Sequence, residues 1–198
     1  MTIKTSLGKI SYTEERARGS AHHPVILSGK LKADNGVYPM GLLLAYDAND
    51  ERIPYEEISA EVFDTGDGNT KDFANTFATY RIQPGSVVIT DDTETFSDDG
   101  NGRLWGNAGG FGFVDYKTGD YRLSFMSDVA DQQDITADYS LMFAGVLDEE
   151  TDTLERNSGV YIRHGSVLRH ALKVGKTAQA EPTESQLRML IEAGVYPE

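Results

Sequence analysis

Hydrophobic and polar residues alternate in short runs along most of the chain, and turn residues separate the runs. Near the start, residues 25–31 (VILSGKL) and 41–47 (GLLLAYD) are apolar runs of strand length with the turn signal 33–36 (ADNG) between them. From Ile58 to Ser140, turns rich in Asp, Asn and Gly recur about every eight to twelve residues, which is typical of an antiparallel β-sandwich or barrel. The pattern therefore predicts a mainly β protein.

Two short helices are predicted near the C-terminal end. Thr183 and Gln186 fit a capping box, and Gly194 lies where a C-cap glycine belongs. The apolar stripe of this helix is Leu187, Leu190 and Ile191. A second helix is predicted from Ser166 to Lys173, with Val167, Leu168, Ala171 and Leu172 facing inward.

The stretch GGFGFVDYKTGDYRLSF (109–125) has the pattern of a hairpin with a three-residue loop, 117–119, in which Gly119 is left-handed. This register pairs Phe113 with Leu123. It puts Phe111, Phe113, Tyr121, Leu123 and Phe125 on one face and Gly110, Gly112 and Ser124 on the other. Two interpretations of the glycine face stay open: Trp105 or another strand fills it, or it is a shelf that binds sugar.

The composition is that of an acidic globular chain. Its 198 residues carry 18 basic and 32 acidic side chains, a net charge of −14, and residues 59–142 hold 5 of the basic and 15 of the acidic ones. Such a surface repels phosphate, so we expect no nucleic-acid partner. The longest apolar run, 40–46, is far short of a membrane span, and the N-terminus lacks the apolar region of a secretory signal. We therefore expect no membrane partner.

The chain lacks the patterns of a catalytic centre. It has no cysteine, and GKT at 175–177 is not a Walker motif because His170 stands where a glycine is required. His164 and His170 are spaced poorly for metal ligation. Bound calcium and tight turns are two explanations for the acidic groups at 64–72, 91–92 and 98–99, and turns are the simpler one. The sequence thus predicts no enzyme, no cofactor and no metal.

Two segments together resemble the lambda-type head decoration proteins of bacteriophages, which stabilise capsids. The C-terminal segment has a GVL strand (145–147), an acidic turn (148–150), a strand ending at a glycine (160–165), an "AL" pair (171–172) and a last apolar helix (187–195). The segment 22–47 is similar to the N-terminal half of that family, with a P-x-G-x-x-L step at Pro39, Gly41 and Leu44.

The middle of the chain resembles a β module of phage virion proteins. The shared patterns are G-D-G-x-T-x-x-F, P-G-S-V, D-x-G-x-G, G-x-[VIF]-D-Y-x-T-G and T-A-x-Y. The two resemblances imply a mainly β fold with short helices (α+β), in which a discontinuous core carries an inserted antiparallel β-sandwich. The implied parts are an arm (1–24), a core (25–58 and 141–198) and an insert (59–140).

The resemblance implies a non-enzymatic protein of the outer capsid surface, assembled in the host cytoplasm. It would bind the major capsid protein as a homotrimer and stabilise the expanded capsid against the pressure of packaged DNA. The residues of the arm expected to contact the capsid are Ile3, Leu7, Ile10, Tyr12, His22 and His23. The alternative function is carbohydrate binding or adhesion to host surface glycans through the insert, at Trp105, Gly110, Gly112 and Tyr116.

Overall fold

The protein is mainly β, with antiparallel sheets and one α-helix, in a computed structural model that describes residues 16–198. The α-helix α1 spans Glu184–Glu192, and a 3₁₀ turn spans Arg169–Ala171. The strands are β1 (Val25–Lys30), β2 (Val37–Tyr38), β3 (Leu43–Tyr46), β4 (Arg52–Pro54), β5 (Glu57–Thr65), β6 (Asp72–Thr76), β7 (Val88–Thr90), β8 (Thr95–Asp98), β9 (Arg103–Gly106), β10 (Phe111–Val114), β11 (Asp120–Ser124), β12 (Asp134–Ser140), β13 (Phe143–Leu147), β14 (Thr151–Asp152), β15 (Ser158–Val167) and β16 (Val195–Pro197).

The first sheet combines strands from the two ends of the described chain. Its order is β1-β15-β13-β3-β4, and the short strand β16 lies parallel to the last residues of β15. Leu31, just after β1, bridges Arg52 of β4, so the first and last strands of the path meet at that point. Strands β2 and β14 form a separate two-stranded ribbon.

The second sheet contains the eight strands from residue 57 to residue 140, in the order β5-β12-β7-β8-β9-β10-β11-β6. The two end strands approach each other, because the ring of Phe63 on β5 lies 4.7 Å from that of Tyr121 on β11 and 5.3 Å from that of Phe77 just after β6. The sheet therefore curls into a nearly closed barrel. Of the two expectations, sandwich and barrel, this single curled sheet is nearer to the barrel.

One apolar cluster runs through both sheets. It joins Leu43 and Val146 of the first sheet to Phe96 and Tyr139 of the second. At the junction, Ile82 forms a bridge with Leu141, and both side chains are fully buried. The eight-stranded sheet is therefore packed on the first sheet as part of the same core.

The C-terminal helix is confirmed in most respects. Thr183 and Gln186 form the capping box, and Gly194 follows the helix with φ of +83°. Leu187 and Leu190 are buried, but the expectation for Ile191 is wrong, since its side chain is 51% exposed. The buried face of α1 consists of Gln186, Leu187 and Leu190, and Ile191 lies beyond it.

The helix predicted from Ser166 to Lys173 is wrong. Strand β15 continues to Val167, and only a 3₁₀ turn follows. The backbone N–H of Leu168 donates to the carbonyl oxygen of Ala17, and the N–H of Arg169 donates to that of Glu198. The carbonyl oxygens of Ser166 and Val167, which would accept the first hydrogen bonds of a helix, instead accept from the N–H groups of Gly19 and Glu198. Val167, Ala171 and Leu172 are buried as expected.

Candidate functional site

The hairpin of β10 and β11 has a register one residue away from the predicted one. Phe113 pairs with Arg122, and Gly112 pairs with Leu123. The loop has four residues, because Asp115 and Asp120 form the last backbone hydrogen bond before it. The carboxylate of Asp115 accepts hydrogen bonds from the N–H groups of the next residues, at 2.8 and 3.2 Å, and this holds the longer loop. Gly119 is left-handed, as predicted, with φ of +75°.

A shift of one residue moves every side chain of a strand to the other face of the sheet. Phe111 and Phe113 therefore point outward, away from the buried Tyr121, Leu123 and Phe125. The prediction that all five share a face is wrong, and the glycine face is the interior of the barrel. A Cβ on Gly112 would lie 2.6 Å from a methyl carbon of Leu123, so close packing requires a glycine there.

Gly110 also lies inside, where it leaves room for a buried carboxylate. Glu94 is 3% exposed and accepts hydrogen bonds from the N–H of Gly110 at 2.6 Å and from the N–H of Met126 at 2.8 Å. A Cβ on Gly110 would lie 2.7 Å from an oxygen of Glu94 and 2.8 Å from the ring of Phe96. Neither Gly110 nor Gly112 is accessible to a ligand, so both proposed insert-surface roles are wrong.

Tyr116 belongs to the loop, away from the glycines. Its hydroxyl donates to Oδ1 of Asp98 at 2.6 Å and accepts from the N–H of Gly102 at 2.7 Å. Burial and then the hydrogen bond to the Asp98 carboxylate raise the pKa of Tyr116 to about 12. The side chain is half-buried and joins two hairpin turns, so its role is to hold the loop.

Trp105 lies on the outside of the barrel, and two phenylalanines lie beside it. Phe111 pairs with Trp105, and Phe113 pairs with Arg103 on one side and Arg122 on the other. Trp105 is 57% exposed and each phenylalanine is 54% exposed. We call these five side chains the aromatic face: Arg103, Trp105, Phe111, Phe113 and Arg122.

Residues 16–24, which we call the N-terminal root, are packed on the first sheet. Ala17 is fully buried, its N–H donates to the carbonyl oxygen of Asp148, and Arg18 bridges Val167 at the end of β15. The expectation of an unpacked arm as far as residue 24 is therefore wrong for this segment. The expected capsid contacts Ile3, Leu7, Ile10 and Tyr12 lie outside the described residues.

Two carboxylates hold the root. The buried side chain of Asp148 accepts from the N–H of Arg18 at 3.2 Å and from its guanidinium, and it also pairs with Arg16 at 3.5 Å. Glu198 accepts from the N–H groups of Ser20 and Ala21 at 2.6 and 2.9 Å. These hydrogen bonds from the backbone lower the pKa of Glu198. The root is thus fixed at both of its ends.

His22 and His23 are both exposed at the end of the root. The ring of His22 stacks on Tyr196 at 5.5 Å and meets His164 edge-on at 5.0 Å. Its backbone N–H and carbonyl oxygen bond to Ser166. The structure therefore gives His22 a packing contact within the chain and leaves the ring of His23 at the surface.

The acidic groups at 67, 91, 98 and 99 accept hydrogen bonds from backbone N–H groups in their own turns. Residues 16–198 contain no group of three side chains arranged to hold a metal ion. Within the same range, no helix has both the length and the apolar character needed to cross a bilayer.

Several residues that hold the N-terminal root or form the aromatic face were not predicted. Asp148 was expected only as part of an acidic turn, and Glu198 was not singled out. Arg103 and Arg122 alternate with buried residues along β9 and β11, so alternation was a signal for their exposure. Their position beside Phe113 depends on strand pairing, which alternation does not reveal.

No protein-family model, curated protein or solved structure matches this chain. The function proposed below therefore rests on the residues of the chain and on the contacts between them.

Proposed function

We propose that this chain is a head decoration protein of the lambda-type, capsid-stabilising kind. It binds the major capsid protein on the outside of the expanded capsid as a homotrimer, and it stabilises the shell against the pressure of packaged DNA. Its action is structural rather than enzymatic, and it assembles onto the virion in the host cytoplasm.

The observation that carries the proposal is the fixed root beside an unpaired strand edge. The root ends at Pro24, and β1 begins at the next residue on the edge of its sheet. Within residues 16–198, no second strand pairs with residues 25–28, and the side chains of Val25 and Leu27 are 49% and 41% exposed. An exposed edge of this kind can take a strand from another protein.

Residues 1–15 precede the root, so the contacts at Asp148 fix the point from which they extend. We propose that Ile3, Leu7, Ile10 and Tyr12 supply the apolar contacts of this segment with the capsid. Many copies bind one shell, and a trimer presents three such segments at once. Weak individual contacts then add up to firm attachment.

Two glycines of the resembling pattern occupy positions that require glycine. Gly41 has φ of +80°, and a Cβ on it would clash with the carbonyl oxygen of Ala171. Gly165 has φ of +108°, and a Cβ there would lie 2.6 Å from Cα of Pro24, at the junction of the root and β1. Both glycines are therefore required by the backbone conformation and the packing at these two points of the core.

The test is deletion of residues 1–15, which leaves the packed root in place. We expect the shortened chain to remain a trimer by size-exclusion chromatography with light scattering and to lose co-sedimentation with expanded, DNA-free heads. A full-length variant in which Ile3, Leu7 and Ile10 are replaced by serine keeps the segment but removes its apolar contacts, and should also lose binding.

Undiminished co-sedimentation of both variants would contradict the role of this segment. A monomeric full-length chain at micromolar concentration would contradict the trimer. Excision of residues 59–140 is a poor test, because the eight-stranded sheet shares its core with the first sheet.

A further inference from the structure

The aromatic face is an exposed apolar surface on a rigid support. Three large rings lie on neighbouring positions of β9 and β10, each more than half exposed. Single exposed apolar side chains are common, but a contiguous group marks a surface that contacts something. Beneath it, Leu104 and Leu123 are buried in the barrel.

The shape of the face restricts what can bind. Strands β9, β10 and β11 each have partners on both sides, so no backbone edge is open to an added strand. A shallow groove of about 390 Å³ runs beside the rings of Phe111 and Phe113. Ala74 on β6, opposite Arg122, contributes only a methyl group to its wall. A ligand here is held by side chains, with apolar rings below it and the polar residues Arg122, Ser124 and Asp72 along the groove.

The charge of the face differs from that of the rest of the module. Residues 59–142 hold 5 basic and 15 acidic side chains, and two of the five are Arg103 and Arg122. Both guanidinium groups are free of ion pairs and of side-chain hydrogen bonds within residues 16–198. The two arginines are the cross-strand neighbours of Phe113 on either side, a pairing that puts their Cβ atoms roughly 5 Å from that of Phe113. Arg122 is near enough to Asp120 to help lower the pKa of that carboxyl, but neither arginine is held in an ion pair with a described residue. Positive charge beside exposed rings favours a ligand with negative charge.

Three classes of anion can be compared with this arrangement. Single-stranded nucleic acid also stacks on aromatic rings, but it carries a phosphate at every nucleotide and needs a longer positively charged groove. Two arginines surrounded by aspartates do not provide one. An acidic peptide would gain from a strand edge, which the face lacks. A sugar acid needs one flat apolar ring face and one or two cations, and both are present.

We propose that the aromatic face binds an acidic saccharide, with a pyranose ring against Trp105 and Phe111 and its carboxylate at Arg103 or Arg122. The C–H bonds on a pyranose face are weakly positive and meet the negative face of an aromatic ring. Guanidinium groups hold carboxylates by paired hydrogen bonds. Successive rows on a strand lie about 7 Å apart, so neighbouring sugars of one chain can contact Trp105 and Phe113 in turn.

The chain has a single tryptophan, so its fluorescence reports on this face directly. The intact protein is titrated with a trimer of N-acetylneuraminic acid, a trimer of galacturonic acid and a neutral galactose trimer. We expect saturable changes in Trp105 fluorescence with at least one acidic trimer, and at least tenfold weaker binding of the neutral one. Arg103→Gln and Arg122→Gln should each weaken binding of that acidic trimer about tenfold or more. Arg169→Gln, an exposed arginine of the C-terminal part, should have no effect.

Phe113→Ala should reduce affinity while the circular dichroism spectrum and melting temperature remain those of the wild type, because the ring lies outside the core. Absence of saturable binding to both acidic trimers would overturn the proposal. Equal affinity for the neutral trimer, or tighter binding of a single-stranded oligonucleotide, would also overturn it. Binding seen only after deletion of residues 1–15 would overturn it for the intact chain, because that segment would then be the occupant.

Discussion

Removal of the Asp148 carboxylate should loosen the N-terminal root without unfolding the core. The side chain is fully buried and accepts from one backbone N–H and two guanidinium nitrogens of Arg18. Arg16 adds an ion pair at 3.5 Å. The backbone bond between Ala17 and the carbonyl oxygen of Asp148 does not depend on the side chain and should persist.

The free-energy cost of removing the Asp148 carboxylate depends on whether water can reach the arginines that it leaves behind. Removing one member of a buried ion pair costs about 3–5 kcal/mol when the surviving charge stays buried. Here the surviving side chains of Arg16 and Arg18 are 25% and 39% exposed and can be hydrated. We therefore expect Asp148→Ala to cost the docked root about 2–3 kcal/mol, and Asp148→Asn, which keeps one acceptor oxygen, about 1–2 kcal/mol.

Amide hydrogen exchange measures this loss at the residues concerned. A cost of about 2–3 kcal/mol corresponds to roughly 30- to 150-fold faster exchange in residues 17–19, while the amides of β13 should be little affected. Glu150→Gln, which changes an exposed carboxylate two residues away, is the control and should leave exchange unchanged. Wild-type protection of the root in Asp148→Ala would refute the reasoning, because the backbone hydrogen bonds, Glu198 and packing would then hold the root without the Asp148 carboxylate. Under the proposed function, Asp148→Ala should also weaken binding to capsids.

Three further results are expected from the contacts within the chain. Tyr121 has a buried hydroxyl without a hydrogen-bond partner among residues 16–198, so its change to Phe should leave stability unchanged or raise it. The same change at Tyr139, whose hydroxyl donates to a glutamate, should cost about 1–3 kcal/mol in urea unfolding, and equal effects of the two changes would contradict this contrast. The pKa of Glu198 is lowered by hydrogen bonds from the backbone of the root. Its contribution to the stability of the docked root is therefore complete above the ordinary pKa of a glutamate and is lost as the pH falls through the lowered folded value. NMR signals of the root should shift in acid, and signals that do not move would count against this anchor. Gly41→Ala should lower the free energy of unfolding by about 2–5 kcal/mol, because a left-handed backbone and a clash combine. Gly100→Ala, at a left-handed position in open space, should lower it by only about 1–2 kcal/mol. Equal costs would show that the clash is relieved.

The sequence pattern was a good guide where one local signal decided the structure. Apolar alternation predicted a mainly β fold, and the capping box at Thr183 correctly predicted where α1 begins. It failed where distant segments compete for the same backbone groups. Residues 166–173 have helix-like spacing, but the N-terminal root and the C-terminal strand take the hydrogen bonds at Val167 and Leu168. Nothing local to that segment shows that these partners exist.

The aromatic face shows the same limit, because its exposure depends on a one-residue difference in the register between β10 and β11. A three-residue loop with Gly119 and a four-residue loop with Gly119 are both compatible with the hairpin sequence, since each uses the left-handed glycine. The side chain of Asp115 favours the longer loop by accepting two backbone hydrogen bonds. In the register that this loop sets, Phe111 and Phe113 point to the surface instead of the core. Alternation within a strand shows which residues share a face, but only the strand pairing and the interior contacts show which face is buried. The arginines could be recognised as a pair only after that choice, since they come from different strands and meet across Phe113.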